Sequence, residues 1–201
     1  QDYYETQVLL TRTVWTAGDT KASIASLNKL EKKLKGKLPL AQVYWLQARM
    51  AEESGSFDRA LEWNDSALTQ EKQGGALWES LIWQKAWNLR KAKLYEDASS
   101  QFAALKQATK DNNLQFRYSF WLAKTLKDAG KNAEAESEFF KLSELDLYGY
   151  YGIMAHRELS MRFKPLNKNP IKILSKFSFE SQKEFGTRQW LLAVGETGLL
   201  R

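Results

Sequence analysis

The sequence Trp45-Leu-Gln-Ala48 recurs as Trp83-Gln-Lys-Ala86 and again as Phe120-Trp-Leu-Ala123. The small residue that ends each stretch advances by 38 and then by 37 positions along the chain. A constant period of this length is typical of proteins built from repeated pairs of helices. These stretches therefore predict an array of similar helical units.

A second small residue stands twelve positions after the first in every unit. These second small residues are Ala60, Ala98 and Ala135. Between the two small residues lies a turn position, which is occupied by Gly55, Lys93 and Gly130. Antiparallel helices approach each other closely where small side chains face each other, and Gly readily supplies the positive φ that ends a helix. Each unit is therefore predicted to be an antiparallel helix pair.

The same frame extends one unit towards the N terminus. There Gly18 occupies the turn position, and Thr11 and Ser23 occupy the small positions. Four and seven residues after the second small residue, the later units carry residues that continue a buried helical stripe. These residues are Asn64, Ala67, Phe102, Leu105, Phe139 and Leu142. Four helix pairs are therefore expected within residues 1–146.

The predicted fold class is all-α: a right-handed α-solenoid, or superhelix, of antiparallel helix pairs. The pattern is tetratricopeptide-like, but its period of 37 to 38 residues exceeds the usual value of about 34. The extra residues are expected to lengthen helices or loops, as in Gln70–Gly75. Stacked pairs of this kind form a concave and a convex side. Residues 147–201 are expected to add further helices of the same superhelix, including short ones at about 179–186 and 187–195.

The composition bears on several classes of function. The 201 residues are 43% hydrophobic with only 3 Pro, so the chain is expected to be folded throughout. The absence of Cys excludes disulfides, thiol catalysis and Cys-based metal sites. Apolar runs stay far below the roughly 20 residues of a membrane span, and no transmembrane segment is expected. The net charge of +6 is interspersed with acidic residues, apart from a Lys32–Lys37 cluster, so no nucleic-acid partner is predicted.

No constellation of residues predicts catalysis or cofactor binding. His156 is the sole histidine, and without a second His or any Cys it does not anchor a common zinc site. No glycine-rich phosphate loop is present, and Gly74-Gly75 is interpreted as an ordinary loop. The prediction is therefore that these residues hold no catalytic residue, no metal and no cofactor.

A stretch near residue 150 matches the pattern Tyr/Phe-Tyr-Gly-x-x-Ala-x-x-x-Leu. The matching residues are Tyr150, Tyr151, Gly152, Ala155 and Leu159. Together with the helical array before it, this stretch resembles the soluble lytic murein transglycosylases, in which a long α-superhelix precedes the catalytic domain. Trp190-Leu-Leu-Ala-Val-Gly195 is similar to the next helix and turn of that family's linking region.

The resemblance implies a non-catalytic superhelical scaffold of a periplasmic peptidoglycan lytic transglycosylase, which positions glycan strands for a catalytic domain beyond Arg201. That domain carries a Glu-Ser pair followed by Gly-Leu-Met-Gln. Glu180-Ser181 matches only the pair, so Glu180 is not expected to be catalytic. The chain starts at Gln1 without a Met, and we expect a trimmed piece whose signal peptide has been removed, with a cytoplasmic location left open.

An alternative function belongs to a different class of protein. A tetratricopeptide-like adaptor binds peptides or proteins in its concave groove, and the same architecture serves both functions. The expected partners are therefore peptidoglycan glycan strands or a protein or peptide.

Candidate binding residues follow from the repeat frame. In tetratricopeptide-like pairs the first helix lines the concave side, and positions three before, one after and four after its small residue are expected to point inward. The concave-face candidates are Trp45, Arg49, Trp83, Trp87, Arg90, Phe120, Lys124 and Lys127. Aromatic rings suit the apolar faces of sugars, and basic groups suit carboxylates. The alternative is that the Trp residues belong to the core, because a shift of one residue in the register would bury them.

Overall fold

The computed structural model describes residues 2–159, and every regular element within them is a helix. The helices are α1 (Asp2–Thr16), α2 (Thr20–Leu34), α3 (Ala41–Glu53), α4 (Phe57–Leu68), α5 (Trp78–Lys91), α6 (Tyr95–Ala108), α7 (Asn112–Asp128), α8 (Asn132–Leu145) and α9 (Tyr150–Glu158). The predictions for 179–186, 187–195, Glu180-Ser181 and Trp190–Gly195 lie outside the described residues. Within 2–159, no helix is both long and apolar enough to cross a membrane.

The helices pack in the order in which they occur along the chain. Helices α1 and α2, α3 and α4, α5 and α6, and α7 and α8 form four pairs, and each second helix also contacts the first helix of the next pair. Helix α9 packs against α8 and α7. The all-α fold class and the repeated helix pair are therefore confirmed. The additional length of the repeat includes the loop of residues 69–77 between α4 and α5.

The small residues of the repeat frame are the points of close contact within each pair. All are at most 3% exposed: Thr11, Ser23, Ala48, Ala60, Ala86, Ala98, Ala123 and Ala135. In the first pair the Ser23 hydroxyl lies 3.4 Å from the Thr11 carbonyl oxygen, to which it donates a hydrogen bond across the two helices. Such an approach leaves no room for a larger side chain, which explains why the frame is marked by small residues.

The turn inside each pair has a left-handed residue. The φ angle is 98° at Gly18, 76° at Gly55 and 79° at Gly130, and Lys93 takes the equivalent position with φ 64°. After Lys93, the Leu94 N–H donates to the Leu89 carbonyl at 2.9 Å. This bond closes the helix end, as in a Schellman motif. Lys93 shows that the frame fixes the conformation of the turn even where Gly is absent.

The described residues bury two groups of apolar side chains, which differ in composition. The N-terminal core consists of Tyr4, Leu27, Leu30, Leu40, Val43, Tyr44, Leu46, Met50, Ala67 and Leu81. The C-terminal core consists of Ile82, Ala86, Phe102, Leu105, Tyr118, Phe120, Leu122, Ala123, Leu126, Ala135, Phe139, Leu142 and Ala155. Helix α5 contributes to both cores through adjacent residues, and the buried amides of Asn64, Gln84 and Asn88 lie on α4 and α5.

The entry to α9 explains part of the Tyr-Tyr-Gly motif by packing. A Cβ atom at Gly152 would lie 1.9 Å from the Asp146 carbonyl oxygen, so this position requires Gly. The Gly152 N–H donates to the Asp146 carboxylate at 3.0 Å, and Ala155 is fully buried. These two motif residues thus hold α9 against the end of α8.

Candidate functional site

A cleft crosses the first helices of the second, third and fourth pairs. Its volume is about 230 Å³, and its lining residues are Trp45, Arg49, Glu79, Ser80, Trp83, Gln84, Arg117 and Tyr118. These residues come from α3, α5 and α7, the helices on which the sequence placed its binding candidates. The cleft is therefore the place where residues distant in sequence form one surface.

Two larger hollows lie elsewhere on the molecule. One of about 390 Å³ is next to the loop at Lys35–Leu40, and one of about 580 Å³ lies between α6 and α8. Neither is lined by any of the eight candidate residues. Both are open surface depressions, and chemistry rather than size identifies the cleft on the first helices as the candidate site.

Aromatic rings and guanidinium groups meet in this cleft. The Arg117 guanidinium lies 3.7 Å from the ring centre of Trp83, which is a close cation–π contact. The Trp83 ring is also 5.5 Å from the Tyr118 ring. Trp45 and Trp83 are half-buried, so each indole keeps part of its surface accessible. This combination provides flat apolar surface together with positive charge.

The acidic residue of the cleft, Glu79, has a partner within the cleft. The Tyr118 hydroxyl donates a hydrogen bond to the Glu79 carboxylate. Burial raises the pKa of the Tyr118 hydroxyl, and the hydrogen bond to Glu79 and its negative charge raise it further. Tyr118 therefore remains protonated at neutral pH and keeps Glu79 occupied.

The two arginines of the cleft lack strong carboxylate partners. Arg49 is 44% exposed, and its nearest carboxylate, Glu52, is 4.0 Å away. Glu52 is held more closely by Lys91, at 2.8 Å. Within residues 2–159, Arg117 has no carboxylate at ion-pair distance. The cleft therefore holds more positive charge than its own residues neutralise.

Two other cations on the first helices, Arg90 and Lys91, are paired with carboxylates on a neighbouring first helix. Glu52 of α3 pairs with Lys91 of α5, and Arg90 of α5 pairs with Asp128 of α7. The Trp15 indole N–H of α1 donates to Glu53 of α3 at 3.1 Å. Each contact joins the fourth residue after one small position to the fifth residue after the next. We call this series, together with the Lys124 and Lys127 contacts to Glu158, the polar ladder.

Of the eight sequence candidates, the structure brings Trp45, Arg49 and Trp83 together in the cleft. Trp87 instead lies edge-on to Trp121, with ring centres 4.5 Å apart. The Arg90 guanidinium lies 5.6 Å and 5.5 Å from these two rings. Trp87 and Arg90 therefore lie beside the cleft rather than in its lining, and Trp87 contacts the cleft residue Trp83 with ring centres 5.8 Å apart.

The remaining three candidates contact other groups. Phe120 is 4% exposed and packs against Phe139, with ring centres 5.8 Å apart. Lys124 and Lys127 donate to the two oxygens of the Glu158 carboxylate at 3.0 Å and 3.1 Å. These two lysines thus hold α9 against α7. Phe120 belongs to the C-terminal core and does not line the cleft.

The sequence frame missed five lining residues, namely Glu79, Ser80, Gln84, Arg117 and Tyr118. One of them could have been found from spacing. Arg117 precedes Phe120 and Trp121 by three and four positions, and residues at these separations share a helix face. The frame considered positions from three before to four after the small residue, and Arg117 lies six residues before Ala123.

The described part of the chain contains no set of metal ligands. Within residues 2–159 no group of three His, Asp or Glu residues could hold a metal ion. The cleft has instead the components of a binding surface: two arginines, two indoles and a phenol.

Comparison with known proteins gives a more specific description of the fold. No protein-family model and no curated protein match the sequence. A solved structure from Podosopora anserina, described as a kinesin light chain with nearly identical TPR-like repeats, matches with a TM-score of 0.62 at 12% identity. The match covers 78% of this chain and 83% of that chain. A single-residue variant of the same protein gives the same TM-score and identity.

A second solved structure is similar over a comparable length. YrrB, described as a TPR protein with an unusual peptide-binding site, has a TM-score of 0.56 at 16% identity. The match covers 80% of this chain and 79% of that chain. At these identities the likeness shows the fold alone: a superhelix of tetratricopeptide-like repeats. None of these likenesses points to the lytic transglycosylases.

Proposed function

We propose that this chain is a tetratricopeptide-like adaptor that binds an extended segment of a partner protein in the cleft on its first helices. The observation that carries the proposal is the charge of the cleft. Arg49 and Arg117 face it without a strong carboxylate partner, whereas the polar ladder pairs other cations of the same helices. An acidic segment would supply the missing negative charge.

The shape and the aromatic rings of the cleft support the same proposal. The lining residues come from three successive pairs, so a ligand has to be long enough to cross them. Trp45 and Trp83 offer flat surfaces for apolar side chains, and guanidinium groups bind carboxylates with two parallel hydrogen bonds. The TPR protein YrrB, which shares the fold, is described as having a peptide-binding site.

The proposal is tested with two blocked ten-residue peptides that alternate apolar residues with either Glu or Lys. We expect the wild-type chain to bind the Glu peptide at low salt, with a change in tryptophan fluorescence and weaker binding as salt rises. Replacing both arginines (Arg49→Ala with Arg117→Ala) should weaken binding at least tenfold, because each charged hydrogen bond contributes about 1.5–3 kcal/mol.

The matched control is Arg59→Ala, which removes an exposed arginine of α4 outside the cleft. It should bind the Glu peptide as tightly as the wild type. Equal binding of the Glu and Lys peptides, or unchanged binding in a folded double variant, would contradict the proposal. Circular dichroism establishes that each variant is folded.

A second proposal retains the periplasmic scaffold of a peptidoglycan lytic transglycosylase. Its support is the sequence match around α9, where Tyr151, Gly152 and Ala155 form part of one helix. Packing alone explains Gly152 and Ala155, so this proposal comes second. Co-sedimentation with purified peptidoglycan separates the two. The scaffold predicts that the folded chain pellets with the glycan, and the adaptor predicts that it stays in the supernatant.

A further inference from the structure

Three buried amides occupy positions that are apolar in at least one other helix pair, although the fourth pair carries the polar Thr125 at the position of Asn88. Asn64 lies four residues after Ala60, and the equivalent residues are Leu27, Phe102 and Phe139. Gln84 corresponds to Leu46 and Trp121, and Asn88 corresponds to Met50. Asn64 and Asn88 are fully buried, and Gln84 is 3% exposed. Burying amides in this way is costly unless each polar atom finds a partner.

The three amides form a single chain of hydrogen bonds. The Asn88 Nδ2 donates to Asn64 Oδ1 at 2.9 Å, and the Asn64 Nδ2 donates to Gln84 Oε1 at 3.1 Å. The chain leaves one unpartnered atom at each end, Asn88 Oδ1 and Gln84 Nε2. Gln84 also lines the cleft. A buried donor without a partner therefore belongs to a residue of the candidate site.

We infer that this amide chain orients Gln84 so that its N–H group donates to a ligand carboxylate held between Arg49 and Arg117. The inference rests on the proposed function and adds the ligand's recognised group. Asn64 is a positioning residue, because its donation to Oε1 fixes which end of the Gln84 amide is left to donate. Asn88 in turn fixes the orientation of Asn64.

A carboxylate fits this arrangement better than other peptide groups. It accepts several hydrogen bonds and carries the charge that the two guanidinium groups lack. Among the described residues, the Glu79 carboxylate accepts the Tyr118 hydroxyl and forms no ion pair with either arginine. The Gln84 Nε2 atom is covered, so the side chains lining the cleft have to separate when the carboxylate enters. Two of those side chains are Trp45 and Trp83, and their emission should report the entry.

The test uses three ten-residue peptides with the same apolar framework. The first has one central Glu and a blocked C terminus, the second has Gln at that place, and the third has the Gln with a free C-terminal carboxylate. The wild-type chain should bind the Glu peptide about tenfold more tightly than the Gln peptide, as expected for a hydrogen bond to a charged group. The third peptide distinguishes a side-chain carboxylate from a terminal one.

Two variants locate this preference in the amide chain. Gln84→Met removes the donor while keeping the length of the side chain, and it should reduce the preference for Glu over Gln to the part that the charges of Arg49 and Arg117 supply. Asn64→Leu with Asn88→Met installs the residues of the equivalent positions, Leu27 and Met50. This variant keeps Gln84 but removes the Asn64 donor from its Oε1, while two buried amides are replaced by apolar side chains. Circular dichroism establishes that the variant is folded. Its preference should fall to the same reduced value as that of Gln84→Met.

Thr125→Val is the matched control, because it removes a buried hydroxyl from α7 outside the cleft. It should keep the preference unchanged. The inference is overturned if the folded Asn64 and Asn88 double variant still prefers the Glu peptide as strongly as the wild type. If the wild type binds all three peptides equally, only this inference fails. If it binds none of them, nor the Glu-rich peptide above, the proposed function fails.

Discussion

The N-terminal core and the C-terminal core fill the same repeat frame with different chemistry. At the position four residues after the second small residue, α2 carries Leu27, whereas α6 and α8 carry Phe102 and Phe139. Ring contacts are more numerous on the C-terminal side, where Trp83 and Phe102 are 5.5 Å apart, but Tyr44 and Trp63 also stack at 5.5 Å on the N-terminal side. Small residues and turns therefore fix the geometry of each helix pair, whereas the side chains that pack between pairs can vary.

The two cores meet on α5, and the cleft lies there as well. Leu81 belongs to the N-terminal core and Ile82 to the C-terminal core. The position that is Leu27 or Phe102 in other pairs is Asn64 at this junction. Polar side chains therefore pack at the junction between the two apolar cores. One of them, Gln84, also lines the cleft.

The largest expected change in stability comes from substitutions at equivalent core positions of the two regions. Phe102→Ala should lower the free energy of unfolding by about 3–5 kcal/mol, because Phe102 is fully buried against the Trp83 and Trp87 rings. Leu27→Ala should cost about 2–3 kcal/mol, since it removes a smaller buried side chain. Urea denaturation measures both values.

Leu9→Ala serves as the control for these two variants, because Leu9 is 64% exposed on α1. It should change the free energy of unfolding by no more than about 0.5 kcal/mol. A larger loss for Leu27→Ala than for Phe102→Ala would break the comparison and show that the aromatic contacts add little.

A smaller effect compares the turns of the two regions. Gly55→Ala should lower the free energy of unfolding by about 1 kcal/mol, because φ is 76° there and a side chain disfavours that angle. Space is not the cause, since no atom lies within 4 Å of the added Cβ. Lys93→Gly should raise the stability by about 0.5–1 kcal/mol by relieving the same strain at φ 64°. Thermal unfolding measures both, and a loss of stability in the Lys93 variant would show that its side chain makes a contact stronger than the strain.

The smallest effect concerns acid and the last helix of the C-terminal region. Burial alone would raise the pKa of the Glu158 carboxyl, but the hydrogen bonds and charges of Lys124 and Lys127 outweigh it and lower that pKa. The stabilisation is therefore present above the unfolded pKa of about 4.5 and is lost as the pH falls through the lower folded value. Glu158→Gln should cost at most about 1 kcal/mol at pH 7 and almost nothing at pH 2. Equal losses at both pH values would assign the effect to packing.

Sequence spacing predicted what depends on local geometry. The small positions and the turns at Gly18, Gly55, Lys93 and Gly130 follow from the repeat spacing, and the structure confirms them. The cleft could be predicted only in part. The pairing of long charged side chains depends on the offset between neighbouring helices, which a sequence period does not contain. Spacing alone therefore does not distinguish Arg49, whose nearest carboxylate is 4.0 Å away, from Arg90, which forms a close ion pair with Asp128.

The polar ladder has a consequence for how such a chain can evolve. Its contacts join non-identical partners: Trp15 to Glu53, then Glu52 to Lys91, then Arg90 to Asp128. Exchanging the second and third helix pairs would place Glu52 opposite Asp128 and Trp15 opposite Lys91. The first change replaces an ion pair by a repulsion between two carboxylates. The second change removes the hydrogen bond of the Trp15 indole. Reordering or duplicating the helix pairs of this molecule would therefore disrupt such contacts. The charged residues of the first helices are complementary only in the existing order of the pairs.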